Sequence, residues 1–218
     1  MPTASPTLLV MRDSLFGDKP LEQWAHSTNS EPWLSFVKAR DAIARSEPET
    51  ATAMLIGITR MQGLESRHYL QAWHALRGFG VVPPAQIAKN VLGVVMEVAL
   101  DEGLDLLAAY ADHHARYWNY AGGGVVWEAP NTAMDAWIDR VLSCARDIVM
   151  HIGPWEGPRR PPPSRGDVRL NLLTPAGLCF GEGPFDALAR DAKGGPLIAA
   201  AGELMQRLTR LPAASAPR

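Results

Sequence analysis

Cysteine and lysine are scarce in this 218-residue chain, and long apolar runs are missing. Only Cys144 and Cys179 are present, with no CxxC spacing. That excludes a disulfide-stapled secreted scaffold and makes reduced thiols in a cytoplasm the expectation. The apolar run from Leu8 to Met11 is too short for a signal peptide and has no basic leader before it. Nothing approaches the roughly 18 apolar residues that a membrane span requires, so neither export nor insertion is expected. Four lysines and seventeen arginines stand against 23 acids, for a formal charge of -2. The basic residues are scattered, which speaks against a nucleic-acid partner. GxGxxG and GxxxxGK[ST] are also absent, so no cofactor is expected.

What is present is an ordinary globular composition, 47% apolar and 20% charged. Residues 1–7 and 212–218 read as loose tails. Residues 8–82 read as a helical subdomain: Trp33, Phe36, Val37 and Ile43, then Met54, Leu55, Ile58 and Met61, then Leu64, Trp73, Leu76 and Phe79 recur at helical spacing. Pro48 and Gly63 divide them into three helices. Pro83 and Pro84 mark a boundary, and residues 83–211 read as an α+β domain.

Within that domain "VLGVVMEVAL" suits a buried strand. A turn centred on His113 and His114 would pair Ala111 with Arg116, Ala109 with Trp118 and Leu107 with Tyr120. Tyr110, Tyr117, Ala108 and Asn119 would then share a mixed face. The triple glycine, residues 122–124, makes a second hairpin turn, leaving the face of Trp127 open. Thr132 and Asp135 have capping-box spacing before a helix striped by Met134, Ile138, Val141, Ala145 and Val149. "GPWEGPRRPPPSRG" reads as an exposed crossing loop whose arginines resist burial. "VRLNLL", "TPAG" and "LCF" read as a hairpin, and Leu197, Ala201, Leu204 and Leu208 as a last helix. The second unit is therefore ββββαββα, α+β with a largely antiparallel sheet. Profilin-like and roadblock-like scaffolds share this element order, an analogy that carries no function.

Catalytic constellations are weak. Asp112, His113 and His114 offer two imidazoles and a carboxylate, but neighbours on an extended strand diverge, and turn chemistry explains them better than a metal. Gly177, Cys179 and Gly181 outline a nucleophile elbow, yet the last histidine, His151, precedes them, the reverse of the hydrolase order. Glu65, Arg67 and His68 read as charges on a solvated helix face. The aromatics with polar tips suit an interface. The sequence therefore points to a non-catalytic interaction or adaptor module that holds a protein partner or a second copy of itself. Tyr110, Tyr117, Asn119, Trp127, Trp155, Glu156, Arg159 and Arg160 are its candidate surface. A small hydrolase using Asp112, His113, His114 or Cys179, and a small-ligand sensor, are the alternatives.

Overall fold

The computed structural model describes residues 5–23, 29–128 and 130–211. The expected tail 212–218 and residues 1–4 lie outside these. The rest of the expected N-terminal tail is the start of helix α1, Pro6–Asp13: Ser5 Oγ accepts the Leu8 N–H at 3.2 Å and Pro6 stands at the tolerant first position.

A 3-10 turn, Leu21–Gln23, precedes the three helices expected from the periodicity: α2 (Trp33–Ala44), α3 (Pro48–Arg60) and α4 (Ser66–Gly78). Leu21, Phe36, Ala39, Leu55, Ile58, Trp73 and Leu76 form their common core. A single turn, α5 (Ala85–Ala88), leads into the strands β1 (Gly93–Ala99), β2 (Leu104–Tyr110), β3 (Ala115–Trp118) and β4 (Gly124–Trp127). Helix α6 (Asp135–Val149), the hairpin β5 (Asp167–Thr174) and β6 (Gly177–Pro184), the short α7 (Phe185–Arg190) and α8 (Gly194–Thr209) complete the chain. The fold is α+β. Its one six-stranded sheet is antiparallel throughout, in the order β4-β3-β2-β1-β5-β6.

Both faces of the sheet are covered. On one, Val94, Met96, Leu107, Ala115 and Leu170 meet the apolar stripes of α6 and α8. On the other, Val95, Leu106, Ala108, Tyr110 and Leu173 meet Leu8, Leu15, Phe16 and Leu70. Helix α4 therefore serves two cores, with Leu70 toward the sheet and Trp73 and Leu76 toward α2 and α3.

The first hairpin corrects the expected register. Ala109 pairs with Ala115, Leu107 with Tyr117 and Leu106 with Trp118. Tyr110 O accepts the His113 N–H at 3.0 Å, Tyr110 N–H donates to His114 O at 2.9 Å, and His113 takes φ 61°. This is a three-residue loop ending in a left-handed residue, where a two- or four-residue loop was expected. An odd change of loop length reverses every side chain. Tyr110 and Tyr117 consequently lie on opposite faces.

The glycine turn also spans three residues, Tyr120 to Gly122. Asn119 N–H donates to Gly123 O at 2.8 Å, Gly122 takes φ 85°, and Trp127 pairs with Ala115 on the α6/α8 face. The capping-box expectation fails: α6 starts at Asp135 with no side-chain cap, and Thr132 contributes only its carbonyl to the Asp135 N–H.

The proline-rich loop is not a free crossing. It folds back over β6, and Arg159 is held by Asp18 (Nε to Oδ2, 2.7 Å) and Asp13 (Nη2 to Oδ1, 2.8 Å) while lying 4.3 Å above the Phe16 ring. An arginine resists burial only when it lacks acids, and the N-terminal segment supplies two.

Beneath this loop lies a charged group inside the sheet. Glu97, at the centre of the sheet, is wholly buried. It accepts hydrogen bonds from Arg12, from Arg169 Nη1 at 3.3 Å and from Asn171 Nδ2 at 3.0 Å. Arg169 in turn reaches Glu182 at 2.9 Å and Pro161 O at 2.6 Å, and Arg12 reaches Arg160 O at 2.9 Å. One carboxylate thus ties α1, β5 and the proline-rich loop to β1. Every member has partners, the condition under which buried charge is tolerated.

Candidate functional site

The residues picked from sequence separate into two places. The first is the corner where the β2–β3 turn meets the N-terminus of α4. Asp112 Oδ2 accepts the Ser66 N–H at 2.6 Å, and Asp112 N–H donates to Ser66 Oγ at 3.1 Å. Helix α4 has no cap from its own preceding residue, Glu65. The turn supplies one across 46 residues of sequence, with the carboxylate at the positive end of the helix dipole.

Asp112 Oδ1 also accepts the His114 N–H at 3.2 Å. His114 and Asp112 therefore share this corner, whereas His113 points away, with Nε2 3.1 Å from Asp139 and Nδ1 3.5 Å from Asp135 of α6. The two imidazoles thus diverge at the turn, and only His114 stays beside Asp112.

Glu65 takes the place that His113 leaves: donor atoms of Glu65, Asp112 and His114 lie within 4.8 Å of one another. Both carboxylates already have partners. Arg67 Nη2 holds Glu65 Oε2 at 2.6 Å, and the helix terminus holds Asp112. Burial pushes the Glu65 carboxyl up, but Arg67, with His68 and His114, together hold the group below the usual glutamate range.

The rest of the corner is less solvated than a charged helix face should be. Ser66 and His68 are buried, and the His68 ring stands edge-on to Trp33, centroids 4.7 Å apart. Burial lowers the pKa of His68, and its Nδ1 has no partner among the described residues. Arg116, also buried, reaches Glu128 at 3.2 Å through Nη2.

Cys179 is far from this chemistry in its packing. It sits buried on the α6/α8 face, where burial raises its thiol pKa and so suppresses the thiolate. Cys144 is partly buried against the same core.

The candidate interaction residues divide by exposure. Tyr110 is fully buried, its hydroxyl donating to Leu15 O at 2.7 Å and its ring lying over Gly93, where any Cβ would be 2.7 Å from Cδ1. Trp127 is buried under the helices, and Tyr117 is half-buried with its hydroxyl donating to Asp105 at 2.8 Å. Burial and that bond both raise the Tyr117 pKa. Asn119 spends its Oδ1 on the Gly123 N–H at 2.9 Å, inside the turn. These four build the fold. Tyr110 and Trp127 are thereby closed to a partner, while Tyr117 and Asn119 stay partly exposed; the length of each hairpin loop decides which face its residues occupy.

Trp155, Glu156 and Arg160 remain exposed, in the second place. Trp155 is 44% exposed yet firmly positioned. Its N–H donates to Leu178 O at 2.7 Å, its Nε1–H to Pro158 O at 3.0 Å, and its ring meets Phe180 edge-on at 5.6 Å. Gly157 passes so close to the indole that a Cβ would stand 2.8 Å from it. The Arg160 guanidinium lies 5.8 Å from the Trp155 ring centroid.

Beside Trp155 opens a cleft of about 480 Å³, between the proline-rich loop, the Phe16–Asp18 segment and the end of α4. His74 and Arg77 of α4 line it. Neither was singled out in the sequence, because a helix stripe does not reveal which solvent-side residues a distant loop will roof. The chain matches no protein-family model, no curated protein and no solved structure.

Proposed function

We propose that this chain is a non-catalytic interaction module that holds a protein partner, or a second copy of itself, through the Trp155 loop. The observation that carries this is the Trp155–Arg160 pair. An indole 44% exposed to solvent is fixed from three sides, with an exposed guanidinium beside it. Tryptophan and arginine are the residue types that concentrate binding energy at interfaces, and fixing them in advance lowers the entropy cost of association. The remaining candidates do not support a nucleophile and base in contact: Asp112 caps a helix, His113 turns to α6 and Cys179 packs in the core. A cytoplasmic location belongs to the same proposal, supported by two unpaired cysteines. No helix among the described residues is long and apolar enough to cross a membrane.

A photo-crosslinking residue at position 156, on the rim but outside the pair, tests the proposal. One discrete adduct, to a partner or to a second copy, is expected, and Trp155→Ala or Arg160→Ala should weaken it at least tenfold with the melting temperature kept. No discrete adduct, or one indifferent to both substitutions, would refute the Trp155 surface.

A further inference from the structure

The cleft beside Trp155 contains a guanidinium that forms no ion pair among the described residues. Arg77 donates Nη1–H to Pro175 O at 2.7 Å, and among the described residues no carboxylate reaches it at ion-pair distance. Asp18 is the acid that acts on it electrostatically, but the oxygens of Asp18 are gripped by Arg159, which Asp13 also holds. Burial accordingly lowers the Arg77 pKa. A half-buried charge without its own counterion costs stability, and a site that binds an anion has a reason to keep one.

Local geometry keeps room beside that charge. Gly177, at φ 135°, has no side chain to fill it; a Cβ there would stand 3.2 Å from Pro154 Cβ and 3.8 Å from Arg77 Nε. His74, one turn earlier on α4, lines the same space, as do the apolar groups of Phe16, Leu70 and Leu178. The volume, about 480 Å³, is that of a small-ligand site.

We propose that this cleft binds a small organic monoacid, its carboxylate on the free edge of Arg77 and its apolar body against Phe16, Leu70 and Leu178. The planar fork of arginine matches a carboxylate in shape. Only one positive charge is uncommitted, because Arg159 and Asp18 satisfy each other, and Glu156 on the rim repels further negative charge. A monoanion with an apolar tail therefore fits better than phosphate or a dianion. The inference goes beyond the partner surface and stands without it, since Arg77 and His74 line the cleft while Arg160 lies outside its lining.

The test is an NMR titration of the whole chain with butyrate, octanoate and 3-phenylpropionate, their amides, and inorganic phosphate. The Arg77 Nε–H and Trp155 Nε1–H signals report binding. Saturable shifts are expected with at least one acid, weakened tenfold or more in its amide and absent with phosphate. Arg77→Met should abolish them and Arg77→Lys should retain part. Equal binding of acid and amide, equal binding of phosphate, shifts that persist in Arg77→Met, or no saturation by any acid at millimolar concentration would overturn the proposal. The acid-to-amide comparison uses the unaltered chain and so does not depend on the variants folding. Absence of the crosslink from position 156 with acid binding intact would distinguish failure of the partner surface from failure of this site.

Discussion

Asp112 and Ser66 exchange two hydrogen bonds, N–H to Oδ2 at 2.6 Å in one direction and N–H to Oγ at 3.1 Å in the other. The pair is a capping box assembled from two distant segments. It fastens the β2–β3 turn to the start of α4, and thereby the sheet to the helices before it.

Asp112→Ala and Ser66→Ala should each cost about 1 kcal/mol, the usual loss for a helix cap. Each substitution removes one bond and leaves the other, whose donor is backbone. Both bonds clamp the same two segments, however, so losing one loosens the other and the losses should not add fully. Urea denaturation of both single variants and the double variant measures the coupling. Additive losses would mean that the two residues act separately.

Glu97→Gln should be far more damaging. It keeps the shape of the side chain but leaves Arg12 and Arg169 buried against a neutral group. Breaking one member out of a buried ion pair costs about 3–5 kcal/mol, a large part of a typical domain's stability. The expected sign is a sharply lowered denaturation midpoint, with faster proteolysis in the proline-rich loop that the two arginines anchor. A loss below about 1 kcal/mol would show the network to be solvated rather than buried.

His68 should make the fold sensitive to mild acid. Burial depresses its folded-state pKa below the ordinary histidine value, which is about 6.5 in an unfolded chain. Just below that value the unfolded chain binds the extra proton and the native chain does not, so stability rises with pH there. The contribution is complete above about 6.5 and is lost as pH falls toward the depressed value. Melting temperature should therefore drop between neutral pH and mildly acidic pH, and His68→Gln should flatten that slope even if it lowers stability overall. An unchanged slope would assign the effect to other groups, His74 among them, which burial lowers in the same direction.

Periodicity alone was enough for the element types: the three helices before Pro83, the two amphipathic helices α6 and α8, and the strand blocks around α6. Burial of an apolar stripe is a local demand, and it leaves a local trace at 3.6 or 2 residues. The order of the main elements, and with it the α+β class, followed from that trace; the short helices α1 and α7 did not.

Tertiary structure decided where the polar groups went. Glu97 stood in plain view as the single charge in "VLGVVMEVAL", a signal that a buried strand must bring partners to it. The partners, Arg12 and Arg169, lie 85 and 72 residues away. The helix cap from Asp112, the two acids on Arg159 and the roof over Arg77 are likewise contacts between segments with no spacing rule to connect them. The face of Tyr110 turned on one residue of loop length, which the left-handed conformation of His113 settled. Apolar patterning is written along the chain because every element must bury its own stripe. Charge pairing is not, because an acid needs only some base within reach, and reach is a property of the folded chain.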